Sequence, residues 1–403
     1  MRRALARSVA AIVAALVLAW VPANSQSQQQ PAFTGRSDLV LVDVVVTDRQ
    51  SRPVRGLTAA DFAVKEDGID RPIVHFEAVE GGRRAAAIRN ATQAGVSVSA
   101  VRPEAASVAV LVDEQHLTIG QAAAVQTALR SSIDALSARE ATLMLVAPAS
   151  KVSIAAELPF GAGKMVAATY QINGRRTEDR GSFPVADHEA IQIADGDRRA
   201  LARVTGRFSA MNPDLSQGAA EMFARNRATE TADAARRRSK ATFGVALLCL
   251  DWLKDKPGRR QLIIVSSGIA QDTSDDRRKA VIAMSLQLNV PVHFVDARAL
   301  TGTGRYQGVG VVAHLGRDAD EGTSARSDES AGLDRVAADT GGLTVGGDND
   351  LDAAVGRLVE TMSSYYVLAY QPPLKGKSGF RTISVTTSRP GLAIRARKGY
   401  EAR

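Results

Sequence analysis

The chain has 403 residues, of which 45% are hydrophobic, 23% are charged and only 4% are aromatic. This length is enough for two domains with sizeable cores, and the apolar fraction excludes a chain that is disordered throughout. The net charge is +8, but basic and acidic residues are interspersed and few aromatic residues are available to stack on bases. The charge therefore predicts a mixed solvated surface and no nucleic-acid partner.

The first 25 residues have the three parts of a secretory signal. Three arginines precede an apolar run over residues 9–21, and small residues at positions 23 and 25 suit a signal peptidase. The run is shorter than the roughly 20 residues that cross a bilayer. We therefore predict a signal peptide over residues 1–25 and an exported protein, periplasmic or secreted, with no transmembrane segment after cleavage. Losing three arginines would lower the net charge from +8 to +5.

Cys249 is the only cysteine, and its neighbours are apolar. It has no second cysteine with which to form a disulfide inside the chain. We predict a buried thiol rather than a nucleophile.

Short strands are predicted after a linker over residues 26–36. Residues 39–47 are mostly β-branched and apolar, and turns rich in Asp and Gly follow them. We predict that residues 37–80 form part of a small β-sandwich. Residues 81–106, rich in Ala, Arg, Ser and Gly, are predicted to be a linker.

Apolar strands alternate with helical patterns over residues 107–363. Strands are predicted at residues 108–112, 142–146, 152–156, 262–265 and 292–295, and helices at residues 277–288 and 350–362. This alternation predicts an α/β domain with a central, mostly parallel sheet and helices on both faces.

Residues 173–240 show no strand pattern and predict a helical insertion, whose last part, residues 219–240, continues as one long helix towards Cys249. Its basic cluster, residues 236–240, is the strongest local argument for nucleic acid, but an exposed helical turn explains it as well. Residues 301–310 and 317–330 predict parts of one long mobile loop.

Three further strands are predicted near the end of the chain, at residues 365–370, 380–385 and 392–396. They match the opening strands in residue type. We therefore predict that residues 364–403 complete the sandwich begun by residues 37–80, with the α/β domain inserted between the two chain ends.

Seven segments in a fixed order carry a family resemblance. They are residues 44–48, 56–62, 66–68, 258–268, 290–298, 338–342 and 366–373. In this combination the chain resembles the acidobacterial von Willebrand factor A (VWA) related domain proteins, a family of exported bacterial proteins with no general activity. The resemblance implies a von Willebrand A type, Rossmann-like fold.

The resemblance also implies a metal-ion-dependent adhesion site at the carboxyl edge of the sheet. Such a site reads Asp-x-Ser-x-Ser in its first loop, with a Thr and an Asp from later loops. Here Asp113 matches, but Gln115 and Leu117 occupy the two serine positions. Ser267 stands at the later Asp, and Thr242 is a loose match for the Thr. The site is therefore degenerate, with Asp113 as its one clear ligand and Mg²⁺ or another divalent cation as the candidate cofactor.

Two interpretations of this edge remain open at the level of sequence. In the first, five polar residues form an altered cation or recognition site: Asp113, Glu114, His116, Ser266 and Ser267. In the second, Asp113 and Ser267 cap helices and satisfy loop backbone, while His116 packs at the domain edge.

Enzyme motifs are incomplete. Residues 161–165 are similar to a phosphate loop, but Leu158 and Met165 replace the required Gly and hydroxyl residue. Neither His-Glu-x-x-His nor Gly-x-Ser-x-Gly is present. We predict a non-enzymatic adhesion or scaffold protein with protein partners in the cell envelope or outside the cell. The alternative is an envelope-associated enzyme or accessory subunit whose active site these motifs do not reveal.

Overall fold

The computed structural model describes residues 39–50, 52–80, 83–85, 106–138, 141–176, 183–298, 319–346, 358–373 and 378–402. The predicted signal peptide, the linker over residues 26–36 and the Gly-rich residues 301–310 lie outside this part of the chain. The strands are β1 (Val40–Thr47), β2 (Phe62–Glu66), β3 (Ile69–Arg71), β4 (Ile73–Glu80), β5 (Arg83–Ala85), β6 (Ala106–Val112), β7 (Ala141–Ala147), β8 (Val152–Glu157), β9 (Arg259–Ser266), β10 (Val292–Asp296), β11 (Thr344–Val345), β12 (Tyr365–Tyr370), β13 (Gly379–Thr387), β14 (Ala393–Arg395) and β15 (Gly399–Ala402). The helices are α1 (Ile119–Ser137), α2 (Ala162–Thr169), α3 (Asp187–Ala194), α4 (Arg198–Met211), α5 (Gln217–Leu253), α6 (Asp276–Leu288) and α7 (Ala319–Thr340), and residues 358–363 are also helical.

The central sheet has six strands in the order β11-β10-β9-β6-β7-β8. All neighbouring strands run parallel except β8, which pairs antiparallel with β7. Apolar residues of β6 and β9 are buried on both faces because helices cover both sides. Helices α1 and α2 pack on one face, and α5, α6 and α7 pack on the other. The mixed α/β class with a mostly parallel, helix-covered sheet is therefore confirmed.

Two antiparallel sheets are built from the two ends of the described chain. One has the order β14-β1-β12-β4-β5, and the other has the order β15-β13-β2-β3. Val42 of β1, Phe62 of β2 and Tyr366 of β12 belong to one shared core. Every second residue of each strand lies in this core, residues 40, 42, 44 and 46 of β1 and residues 62 and 64 of β2, so each strand supplies one face to it.

The helical insertion contains α3, α4 and the first half of α5. Helix α5 is 37 residues long, and the prediction that residues 219–240 continue as one helix towards Cys249 is confirmed. Five alanines from Ala220 to Ala235 are buried against α3 and α4, and the second half of α5 joins the sheet core at Phe243. Cys249 is fully buried in this second half, and burial raises the pKa of its thiol to about 12. The prediction of a buried thiol is confirmed.

Two sequence predictions about irregular segments are wrong. Residues 83–85, placed in a linker, form β5 and pair with β4. Residues 319–330, placed in a mobile loop, form the first half of α7. The first half of α7 is polar and has no apolar repeat, so the sequence does not predict a helix there. In the folded protein, Leu333 and Val336 of the second half pack in the core. Of the predicted helix over residues 350–362, only residues 358–362 lie in the described part of the chain.

No helix among the described residues is long and apolar enough to cross a membrane.

A partly buried ion pair joins the insertion to α7. The Nδ1 atom of His188, in α3, lies 2.8 Å from Oε1 of Glu329, in α7. Burial opposes a charged imidazole, but the hydrogen bond and charge of Glu329, with the charges of Glu189 and Asp328, raise the pKa of His188 above its ordinary value. The folded protein therefore holds a proton that the unfolded chain releases near pH 6.5.

This pair predicts that the free energy of unfolding falls as the pH rises. The contribution of His188 is complete below its unfolded pKa and is lost as the pH passes through the raised folded pKa. Urea unfolding at pH 6 and pH 8 measures the difference, and we expect the His188→Gln variant to show a smaller one. His75→Gln is the control, because the His75 side chain is half exposed on β4. Equal pH dependence in wild type and His188→Gln would contradict this assignment.

Candidate functional site

The candidate site lies at the carboxyl edge of the central sheet. Strands β6 and β9 are parallel neighbours, with Val112 beside Val265, so the residues that follow them converge. The backbone N–H of Asp113 donates to the carbonyl of Val265 at 2.9 Å. Helix α1 begins directly after this loop, capped by Thr118, whose hydroxyl accepts from the Gln121 N–H. Two rigid elements therefore hold the loop.

The carboxylate of Asp113 accepts hydrogen bonds from three side chains. His116 Nδ1 lies 2.6 Å from Oδ2, the Ser266 hydroxyl donates to the same oxygen at 2.8 Å, and the Thr242 hydroxyl donates to Oδ1 at 2.9 Å. Burial alone would raise the pKa of Asp113. The charge and hydrogen bond of His116, with the hydroxyls of Ser266 and Thr242, hold the pKa below its ordinary value.

The two serines are also bonded within the edge. The Ser266 hydroxyl accepts from the N–H of Gly268 at 3.2 Å as well as donating to Asp113. The Ser267 hydroxyl donates to the carbonyl of His116. These bonds tie the loop after β9 to the loop after β6, and the described atoms leave neither hydroxyl without a partner.

Glu114 is turned away from Asp113 and anchors two other segments. Its carboxylate accepts from the N–H and hydroxyl of Ser150, in the turn between β7 and β8, and from the N–H of Asn173 at 3.3 Å. Its own carbonyl accepts from the N–H of Arg175 at 2.8 Å. Glu114 therefore shapes the edge but does not share a ligand set with Asp113.

The residues around Asp113 do not fit a divalent cation. A hard cation needs several oxygen ligands in near-octahedral geometry, but the carboxylate already accepts three hydrogen bonds. The fully buried Leu117 stands at a serine position, and Ser267 bonds to a backbone carbonyl. Within the described ranges, no group of three or more His, Cys, Asp or Glu side chains is arranged to hold a metal ion.

The Asp113–His116 pair has the distance of a base and its orienting carboxylate. A nucleophile would have to bond to the other ring nitrogen, but the nearby Ser267 hydroxyl donates to the His116 backbone carbonyl instead. His116 also borders a cleft of about 10 Å³ beside Ser239 and Asp272, which has room for roughly one water. The described side chains therefore do not assemble a hydrolytic triad here.

Two of the four cations in the basic cluster at residues 236–240 are held in ion pairs. The guanidinium of Arg236 pairs with Asp272 at 3.0 Å and with Asp195 at 2.8 Å. Arg238 pairs with Asp187 at 2.7 Å. These pairs join α5 to α3 and to the loop after β9, and they leave less charge for a phosphate backbone.

Sequence reasoning brought Asp113, His116, Ser266 and Ser267 to one edge, and the fold places all four in one bonded cluster. Thr242 matched only loosely in sequence, because the sequence does not show which face of α5 is turned towards the edge. Sequence reasoning missed Ser150 and the Asp272–Arg236 pair. These side chains lie at least 36 positions from their partners, and no local pattern relates them.

No family model and no curated protein sequence matches this chain.

Proposed function

We propose that the chain is an exported protein of the von Willebrand A type that binds or scaffolds protein partners through an edge that needs no metal ion. The observation that supports this proposal is the carboxylate of Asp113, which accepts from His116, Ser266 and Thr242. In an adhesion site this carboxylate would coordinate a cation, whereas here it accepts hydrogen bonds from three side chains. The sequence motifs support the family, and the parallel sheet with helices on both faces is compatible with it.

The edge is suited to binding because rigid elements carry its loops. Asp113 follows β6, Ser266 is the last residue of β9, and Glu114 holds the turn at Ser150. Gln115 is exposed between these buried anchors. A partner would therefore meet a preformed surface and would order few side chains on binding, which lowers the entropic cost of association.

Divalent cations are expected to leave the melting temperature unchanged. Because a ligand that binds only the folded state stabilises it, Mg²⁺, Mn²⁺ or Ca²⁺ would raise the melting temperature if it were coordinated. The measurement is a thermal melt of the purified protein at increasing cation concentration, with Asp113→Ala beside it. A saturable rise in wild type that is lost in Asp113→Ala would contradict a metal-free edge.

The binding role is tested by placing a photo-crosslinking residue at Gln115. The control position is Phe160, which is 95% exposed and lies near the other end of the sheet, since Leu158 bonds to the first residue of β7. Illumination with cell-envelope extract is expected to give protein adducts at position 115 and none at 160. Absence of adducts at position 115, or the same adducts at both positions, would overturn the proposed role of the edge.

A further inference from the structure

The opposite end of the central sheet meets the five-stranded antiparallel sheet through Arg259. This residue begins β9, is only 8% exposed, and lies with its guanidinium carbon 3.5 Å from the ring centroid of Tyr365. Its NH1 group donates to the carbonyl of Met362 at 2.7 Å, and the amide of Gln261 donates to the same carbonyl at 3.3 Å. The two sheets therefore meet around a polar junction, defined by Arg259, Gln261, His293, Ser364 and Arg395.

Each of these five side chains has a buried polar atom with no hydrogen-bond partner among the described residues. The atoms are Arg259 Nε, Gln261 Oε1, His293 Nε2, Ser364 Oγ and Arg395 Nε. The Gln261 and His293 side chains belong to residues that are 1% and 2% exposed. Buried polar atoms in folded proteins are nearly always bonded to protein, water or an ion, because an unmade bond is costly. Five such atoms gathered where two sheets meet therefore mark the junction as a candidate binding site.

Strand register places these side chains on facing surfaces. His293 of β10 pairs with Ile263 of β9, so His293 projects from the same face of the sheet as Gln261, two residues before Ile263. On the antiparallel sheet, Arg395 pairs with Val45, and Val45 packs with Tyr365. Because Arg259 stacks on Tyr365, the Arg395 face and the His293 face are directed towards each other.

The unpartnered atoms are mostly donors. His293 Nδ1 accepts from the N–H of Leu343 at 3.1 Å, so the neutral ring carries its proton on Nε2. Burial, with the charges of Arg259 and Arg395, lowers the pKa of His293 to about 3, so the ring is neutral at ordinary pH. Burial also lowers the pKa of Arg395. Two guanidinium groups, an imidazole N–H and the Ser364 hydroxyl can therefore all donate, while Gln261 Oε1 can only accept.

The charge of Arg395 has no counter-charge among the described side chains. Burial is the cause that lowers its pKa, and no carboxylate acts on it. The nearby carboxylate of Asp43 lies 3.6 Å from Nε of Arg259 instead. Burying a charge without a counter-charge is unfavourable.

We infer that the junction binds one small monovalent inorganic anion, held between Arg395, His293 and Ser364. The anion accepts from the donors that lack acceptors and neutralises the charge of Arg395. It thereby links the central sheet to the antiparallel sheet, so its loss weakens their contact. Chloride is the probe chosen to test this site because it is compact, monovalent and accepts hydrogen bonds from any direction.

The experiment replaces gluconate by chloride at constant ionic strength and follows two signals of the purified protein. Chloride is expected to raise the melting temperature saturably, by about 2–4 °C, and the protein is expected to broaden the ³⁵Cl resonance. Arg395→Gln should abolish both effects. Ser364→Ala, a smaller change, should weaken both, and it keeps the test informative where Arg395→Gln fails to fold. Arg389→Gln is the matched control, because Arg389 is half exposed and pairs with Asp61.

Two results would overturn the anion site. One is a wild-type melting temperature that does not respond to chloride, which would mean that ordered water satisfies the junction. The other is ³⁵Cl broadening that is the same in wild type, Arg395→Gln and Ser364→Ala, which would mean that chloride binds elsewhere on the surface.

Discussion

Replacing Asp113 by alanine is expected to lower the free energy of unfolding by about 3–5 kcal/mol. The substitution removes the acceptor of three buried donors, on His116, Ser266 and Thr242. These groups would stay buried without a partner, and each unmade hydrogen bond costs free energy. Urea unfolding of wild type and variant at neutral pH measures the loss.

Asp276→Ala is the matched control for this prediction. Its side chain is 92% exposed and pairs with Lys279 at 3.2 Å, so its loss is expected to change stability by no more than about 0.5 kcal/mol. A loss below about 1 kcal/mol for Asp113→Ala would show that the hydrogen bonds at the edge are not coupled to folding. The interpretation of Asp113 as the centre of the edge would then be wrong.

Replacing Gly342 by alanine is expected to destabilise the protein by about 3 kcal/mol. A Cβ atom at this position would lie 1.9 Å from the carbonyl oxygen of Val292 and 2.5 Å from its carbon. Both are backbone atoms of β10, so neither can move without shifting the strand. The hydrogen bond from Phe294 N–H to the Leu343 carbonyl, 2.8 Å long, would be strained by any such shift.

Gly206→Ala is the control for Gly342→Ala, because Gly206 lies inside α4 and a Cβ there would have no heavy atom within 4 Å. Alanine has the higher helix propensity, and we expect a gain of about 0.5–1 kcal/mol. Thermal and urea unfolding should therefore move in opposite directions for the two variants. Tolerance of Gly342→Ala without loss would mean that the close approach to β10 is relaxed in solution.

The sequence predicted the elements whose signal is local. The run at residues 365–370 corresponds to β12 without any shift, and the apolar residues 39–47 correspond to β1 within one residue. The sequence placed Asp113, Ser266 and Ser267 at one edge, because the carboxyl ends of neighbouring parallel strands lie at the same edge of a sheet. The signal peptide, the family and the function stay predictions and proposals.

The sequence did not predict features that depend on contacts between distant segments. The first half of α7 is polar and has no apolar repeat, so only packing of its second half identifies the helix. The direction of β8 was missed because an apolar strand carries the same pattern in either orientation, and the short connection at residues 148–151 makes the antiparallel pairing with β7 possible.

By itself, the amino-acid sequence determined the class of the fold and the edge at which Asp113 lies, because strand length, helical period and chain order are local properties. The tertiary structure decided how that carboxylate is satisfied. Thr242 and Ser266 are 129 and 153 positions from Asp113, and only folding brings them within hydrogen-bonding distance. The tertiary structure also decided what the basic residues do, because Arg236 and Arg238 pair with aspartates, while the Nε atom of Arg395 is buried at the junction without a partner among the described residues.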